Sequence, residues 1–177
     1  MPIFSSHYCK GRLPVAFVLS VPGKAELESG KPTSGDTGEN LNAALILLNQ
    51  ARPALFSSLD CFHYRITNAF PVPLAVSLGH SVSEAKKSEI LNPKNVERVL
   101  QEIEGCSHVI LCGKKAGLLS SAVMKTEKIV IVVPHVGNKG LNNTYRFEED
   151  FGATTQPERR HLRIELWAGQ IVAKLAT

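Results

Sequence analysis

One polar, glycine-rich segment follows an apolar stretch and carries groups suited to binding a ligand. The apolar residues that begin at Val15 stop at Pro22-Gly23, and polar and glycine residues continue to Gly38, where a helical pattern starts. A strand end followed by a helix start brings main-chain N–H groups and the positive end of a helix together. The segment is therefore expected to line a crevice for an anionic or polar ligand.

A histidine occupies the equivalent position after another apolar stretch. Residues 128–133 lead into Pro134 and His135, which precede a second glycine-containing segment, 136–140. Ligands of open α/β sheets bind at the carboxyl ends of the strands. His135 is therefore the first candidate for chemistry in this chain.

Strand and helix patterns alternate along the chain. Four apolar runs bounded by turn or capping residues predict parallel strands at 14–21, 63–70, 108–112 and 128–133. Helices are predicted from residue 38 onward and over 92–104, 114–124 and 157–175. The first of these has either Asp36 or Thr37 as its cap and buries the stripe Leu41, Ala44, Leu45 and Leu48.

This alternation predicts an α/β fold in one domain over residues 1–177. The architecture expected is a three-layer α/β/α sandwich with a four-stranded, mainly parallel sheet. Right-handed crossovers put the carboxyl ends of all four strands at one edge. Residues 71–87 lack a clear period and are expected to form a loop over that edge.

The composition is that of a globular protein with a mildly basic surface. The net charge is +4 and 44% of the residues are hydrophobic, which permits a polyanionic partner. No apolar run approaches the length that spans a bilayer, and residues 1–11 contain no long apolar segment typical of a secretory signal. The four cysteines lack the close pairs of a metal site. We therefore expect a cytoplasmic monomer with no membrane segment, metal or cofactor.

The ordered loops of residues 15–143 resemble those of the uracil-DNA glycosylase superfamily, most closely its compact bacterial and archaeal branch. The matching elements are Pro22-Gly23 with Glu26, Gly30-Lys31-Pro32, Gly35 and Gly38, Thr67-Asn68, and His135. The resemblance implies DNA as the partner and a monofunctional DNA glycosylase, which hydrolyses an N-glycosidic bond and leaves an abasic site. The cysteines that bind an iron–sulfur cluster in that branch are absent here, so no cluster is expected.

The resemblance also implies roles for single residues. His135 is expected to stabilise the negative charge on the departing base. Asn68 is expected to read the edge of the extruded base, with Val21 and Thr33 also lining its pocket. An alternative for Asn68 is that its amide only satisfies neighbouring backbone groups.

Two departures from the branch bear on mechanism and substrate. Ser20 stands where the branch has an acidic residue, so Asp36 becomes the candidate to orient water, unless it only caps the helix. Ser20 itself is a candidate to hold the water. Thr33 stands where the branch has a phenylalanine that stacks on the base. A roomier, more polar pocket favours a modified pyrimidine, such as the glucosylated hydroxymethylcytosine of some phage DNA, and an antiviral role.

DNA contacts are expected on two loops. The resemblance implies that Lys139, Leu141 and Asn142 enter the minor groove, with Leu141 as the wedge. Lys114 and Lys115 are candidates for phosphate contacts. Two other functions stay open, which are excision of uracil and binding of modified DNA without cleavage. A nucleotide-binding enzyme is disfavoured because the chain lacks the corresponding glycine motifs.

Overall fold

Five short strands form one mixed, mostly parallel sheet in the order β1-β3-β2-β4-β5. The computed structural model describes residues 7–74, 79, 84–146 and 155–177. The strands are β1 (Cys9–Lys10), β2 (Val15–Leu19), β3 (Arg65–Asn68), β4 (His108–Cys112) and β5 (Ile129–Val133). Strand β1 pairs with β3 in antiparallel fashion, whereas the other neighbours are parallel.

Helices cover both faces of this sheet. They are α1 (Lys24–Ser29), α2 (Asp36–Ala51), α3 (Lys87–Ile90), α4 (Pro93–Glu102), α5 (Lys114–Gly117), α6 (Ser120–Met124), α7 (Asn138–Thr144) and α8 (Gln156–Leu175), with a 3₁₀ turn at Cys61–His63. Helices α2, α7 and α8 enclose one core, and α3 to α6 enclose the other. In the parts of the chain just given, no helix is both long and apolar enough to cross a membrane.

Alternation along each strand divides the core between the two faces. Phe17 and Leu19 of β2 face α2, whereas Ala16 and Val18 face α4 and the α5–α6 segment. The predicted α2 stripe is confirmed, since its four apolar residues are fully buried. On α4, Asn92 is the N-cap, and its side chain accepts a hydrogen bond from the N–H of Lys94 at 3.0 Å.

The general α/β prediction is confirmed, but the sheet has five strands rather than four. Strand β1 was missed because two residues show no period. The predicted strand 63–70 shortens to Arg65–Asn68, because residues 61–63 form a 3₁₀ turn. The predicted helix 114–124 is two short helices that divide after Gly117.

Two helices replace segments that were expected to be loops. Helix α1 is preceded by its N-cap Gly23, whose N–H donates to the Glu26 carboxylate at 2.9 Å, and is followed by its C-cap Gly30 in the left-handed conformation with φ of 68°. Helix α7 contains Gly140, which disfavours helix, but it buries Leu141 completely. Packing therefore outweighs propensity in α7. Of the predicted loop 71–87, residues 75–78 and 80–83 lie outside the described residues, as do residues 1–6 of the N-terminal segment.

Candidate functional site

The carboxyl ends of β2 and β4 form a crevice because their connections leave on opposite faces of the sheet. The connection after β2 crosses through α2, whereas that after β4 crosses through α5 and α6. Adjacent strands with divergent connections form a topological switch point, where α/β proteins bind ligands. Ser20 and Gly113 directly follow β2 and β4, whereas Asn68 ends β3 and His135 lies two residues after β5, at the same edge of the sheet.

Gly113 brings two of the predicted site residues together. Its φ of 99° favours glycine, and a methyl group added there would lie 3.2 Å from Cβ of His135 and 3.4 Å from Oγ of Ser20. The N–H of Gly113 donates to the carbonyl of Val133 at 2.7 Å. Ser20 and His135 therefore approach each other across a backbone that has no side chain between them.

Two long-range hydrogen bonds hold the segment that carries His135. The indole N–H of Trp167 donates to the carbonyl of Pro134 at 2.8 Å, and the amide of Asn40 donates to the carbonyl of Val136 at 2.8 Å. Both Trp167 and Asn40 are fully buried. The carbonyl groups on either side of His135 are thus tied to α8 and α2.

A backbone contact fixes the proton on the His135 ring. The N–H of Gly137 donates to Nδ1 of His135 at 3.0 Å, so Nδ1 is an acceptor and the neutral ring carries its proton on Nε2. Burial lowers the pKa of His135, while the negative charge of Glu84 acts in the opposite direction and is the weaker influence. At neutral pH the ring is therefore uncharged and offers one donor, Nε2–H.

Asn68 presents a buried amide at the end of β3. The residue is 2% exposed and lies two positions after Ile66, on the face of the sheet that α2 covers. Within the described part of the chain, its side-chain amide has no hydrogen-bond partner. The amide is also not among the fully enclosed unpaired side-chain atoms of the described residues, so it is accessible to a ligand. The structure gives no support to the alternative that it satisfies neighbouring backbone groups.

A buried ion pair supports the backbone of Asn68 from the opposite face. The guanidinium of Arg98 pairs with the carboxylate of Glu102 and donates to the carbonyl of Asn68 at 2.8 Å. The Thr67 hydroxyl also donates to Glu102. Burial lowers the pKa of Arg98, and the neighbouring Glu102 opposes that shift. The end of β3 is therefore held by charged groups that water does not reach.

Asp36 and Thr37 do not cap α2, contrary to expectation. The N-cap is Gly35, and no side chain makes a capping hydrogen bond. The exposed carboxylate of Asp36 instead accepts from the amide of Asn138 at 2.7 Å, and Asn138 in turn accepts from Asn40 at 2.9 Å. Asp36 is thereby connected to the start of α7, directly after the His135 segment.

Thr33 is turned inward, which corrects its predicted place at the edge of an open pocket. It is 3% exposed, its hydroxyl donates to the carbonyl of Pro32 at 2.7 Å, and it lies 3.6 Å from Sγ of Cys61. Its φ of 54° is rare for a β-branched residue. The close approach of Gly38, where a methyl group would lie 2.0 Å from the Thr33 carbonyl oxygen, explains this placement.

The residues predicted to contact DNA divide into exposed and buried groups. Lys139, Asn142 and Lys114 are exposed, and Asn142 accepts from Arg163 at 2.7 Å. Lys115 is half-buried and donates to the carbonyl of Ala85 at 2.9 Å. Leu141 is 1% exposed within the core, so the expected wedge is not at the surface. Its hydrophobic side chain anchors α7 instead.

Val21 is half-buried and packs against the core enclosed by α3 to α6. This places Val21 at the end of β2 beside Ser20, on the chain that leaves the sheet.

No protein-family model and no curated protein matches this sequence. The site's own geometry therefore carries the functional argument. Over the described ranges, no group of three or more His, Cys, Asp or Glu side chains is arranged to hold a metal ion.

Sequence reasoning missed several residues that shape the site. Gly137 fixes the imidazole proton, and Asn40 and Trp167 hold the segment around it. Gly137 carried a weak signal, as a glycine two residues after a candidate histidine. The sequence around Asn40 and Trp167 gives no indication of their roles, because their hydrogen-bond partners lie 96 and 33 residues away in the chain.

Proposed function

We propose that the protein is a monofunctional DNA glycosylase that hydrolyses the N-glycosidic bond of a modified pyrimidine and leaves an abasic site. It acts on DNA in the cytoplasm as a monomer without metal or cofactor. The observation that carries the proposal is the neutral His135 ring, whose Nε2–H is fixed by the hydrogen bond from Gly137 to Nδ1.

The departing base needs a hydrogen-bond donor that stabilises its negative charge, and it does not need to receive a proton. When the bond between C1′ and the base nitrogen breaks, the electron pair stays on the base and the sugar becomes positively charged. A fixed donor aimed at the new anion is worth about 10²- to 10³-fold in rate. A neutral imidazole supplies such a donor and keeps its proton, so the base departs as an anion held by His135.

Asn68 supports the proposal from across the switch point. Strands β3 and β5 are three positions apart in the sheet, which separates their backbones by about 14 Å. This span accommodates a planar base between the amide of Asn68 and the ring of His135. An amide offers both a donor and an acceptor, which suits the pairing edge of an extruded pyrimidine.

The second half of the reaction is the attack of water on the sugar. The water oxygen bonds to C1′, and the water gives up a proton to a carboxylate. Asp36 is the candidate acceptor, since only one of its oxygens is bound by Asn138. Ser20, which lies against Gly113 beside His135, is the candidate that holds the water.

The polar edge of the crevice favours a base that carries hydroxyl groups. With Thr33 turned inward, this edge consists of Ser20, Asp36 and Thr37. Hydroxyl and carboxylate groups bind a sugar substituent better than they bind the plain edge of uracil. Glucosylated hydroxymethylcytosine, as found in some phage DNA, is therefore the proposed substrate, and defence against phage is the proposed role.

The experiment compares three duplexes that carry glucosylated hydroxymethylcytosine, uracil or cytosine at one position. Alkali-labile strand breaks measure base release, and gel retardation measures binding. We expect breaks in the glucosylated duplex and none in the cytosine duplex. Breaks only in the uracil duplex would replace the substrate, and retardation without breaks would make the protein a reader of modified DNA.

A further inference from the structure

Thr37 carries a hydroxyl group that the fold does not use. It is the second residue of α2 and therefore lies within the first turn of the helix, whose N-cap is Gly35. In the described part of the chain, the Thr37 hydroxyl makes no hydrogen bond. The residue is half-buried, so its side chain is partly open to solvent.

Gly137 shows that this hydroxyl faces the same space as the ring of His135. A methyl group added at Gly137 would lie 3.1 Å from Oγ1 of Thr37, 3.0 Å from Nδ1 of His135 and 3.2 Å from its Cε1. The backbone of Gly137 is not in a strained region, with φ of −66°. The absence of a side chain at this position therefore leaves room between the two groups.

We infer that Thr37 is a second catalytic hydrogen-bond donor, which binds the departing base together with Nε2–H of His135. The inference rests on the proposed function and adds a residue to it. As the bond to C1′ breaks, its electron pair moves onto the base, and the Thr37 O–H donates to the oxygen that becomes negative. The hydroxyl keeps its proton, as the ring of His135 does, and the bond to the sugar is completed by water.

The test separates the hydroxyl from the shape of the side chain. Thr37→Val removes the hydroxyl and keeps the volume, whereas Thr37→Ser keeps the hydroxyl. With protein in excess over the glucosylated duplex, we expect Thr37→Val to slow base release by roughly 10²-fold, the effect of one lost donor. Thr37→Ser should stay within a few-fold of the wild type. Thr126→Val, in the turn before β5 at the opposite edge of the sheet, is the matched control and should release base at the wild-type rate.

Stability and binding distinguish this role from a structural one. Because Thr37 makes no capping bond, Thr37→Val should unfold at the same temperature as the wild type and bind the duplex with the same affinity. A wild-type rate in Thr37→Val, or equal losses in the Val and Ser variants, would overturn the inference and leave the proposed function intact. A wild-type protein that releases no base from either the glucosylated or the uracil duplex would overturn both.

Discussion

The buried pair of Arg98 and Glu102 allows a prediction whose size follows from the structure. Arg98 is 6% exposed and Glu102 is fully buried, and the guanidinium also donates to the carbonyl of Asn68 at 2.8 Å and to Oδ1 of Asn95 at 2.9 Å. Arg98→Met keeps most of the side-chain volume but removes the positive charge. The change leaves a carboxylate in the interior without its guanidinium.

Removing one partner of a buried ion pair costs about 3 to 5 kcal/mol of folding free energy. For a protein of this size, each kcal/mol lowers the unfolding temperature by about 2 to 4 °C, so the expected fall is roughly 6 to 20 °C. The double variant Arg98→Met/Glu102→Leu removes the uncompensated charge as well. It should recover the part of this loss that exceeds about 1 to 3 kcal/mol, which is the cost of the buried acceptors at Asn68 and Thr67 that lose a donor.

Chemical denaturation of the wild type and both variants, followed by circular dichroism, measures these differences. The wild-type protein and the double variant keep the experiment interpretable if the single variant does not fold. A loss below about 1 kcal/mol in Arg98→Met, or a double variant less stable than the single one, would refute the reasoning. Either result would mean that the pair does not hold the end of β3.

Two further predictions concern the segment around His135. Burial lowers the pKa of His135 in the folded state, so the unfolded chain binds the proton more readily. The contribution of His135 to the free energy of unfolding is therefore complete above about pH 6.5 and decreases as the pH falls below that value. His135→Gln should lose this part of the pH dependence in denaturation measurements, and an unchanged dependence would contradict the assignment. Gly137→Ala places a methyl group 3.0 Å from Nδ1 of His135 and 3.1 Å from the Thr37 hydroxyl, so it should slow base release on the glucosylated duplex. Gly169→Ala, where nothing lies within 4 Å of the added methyl, is the control and should keep the wild-type rate; equal rates in both variants would show that the space beside His135 is not used.

The sequence predicts the parts of the fold that depend on local pattern. The buried stripe of α2 repeats with helical spacing, and β4 is a continuous apolar run with turn residues on both sides. Both appear where they were expected. Helix α7 was not predictable in this way, because its polar residues and Gly140 disfavour helix, and only the packing of Leu141 explains it.

The same distinction applies to the candidate site. His135 follows one predicted parallel strand and Asn68 lies in another, and the topology then brings them to one edge of the sheet. The direction of a side chain at that edge depends on contacts made elsewhere. The inward turn of Thr33 depends on the approach of Gly38, and the tautomer of His135 depends on the N–H of Gly137. No periodicity in the sequence reports such contacts.

The most direct test of the central claim is the rate of base release from the glucosylated duplex as a function of pH, with wild-type protein and His135→Ala. The account predicts a roughly 10²- to 10³-fold slower reaction in His135→Ala. It also predicts a wild-type rate that stays constant through about pH 6.5 and falls only at lower pH, because burial lowers the pKa of the ring and protonation of Nδ1 would break the hydrogen bond from Gly137. A wild-type rate that rises as the pH falls below 6.5, or a His135→Ala protein as fast as the wild type, would contradict it.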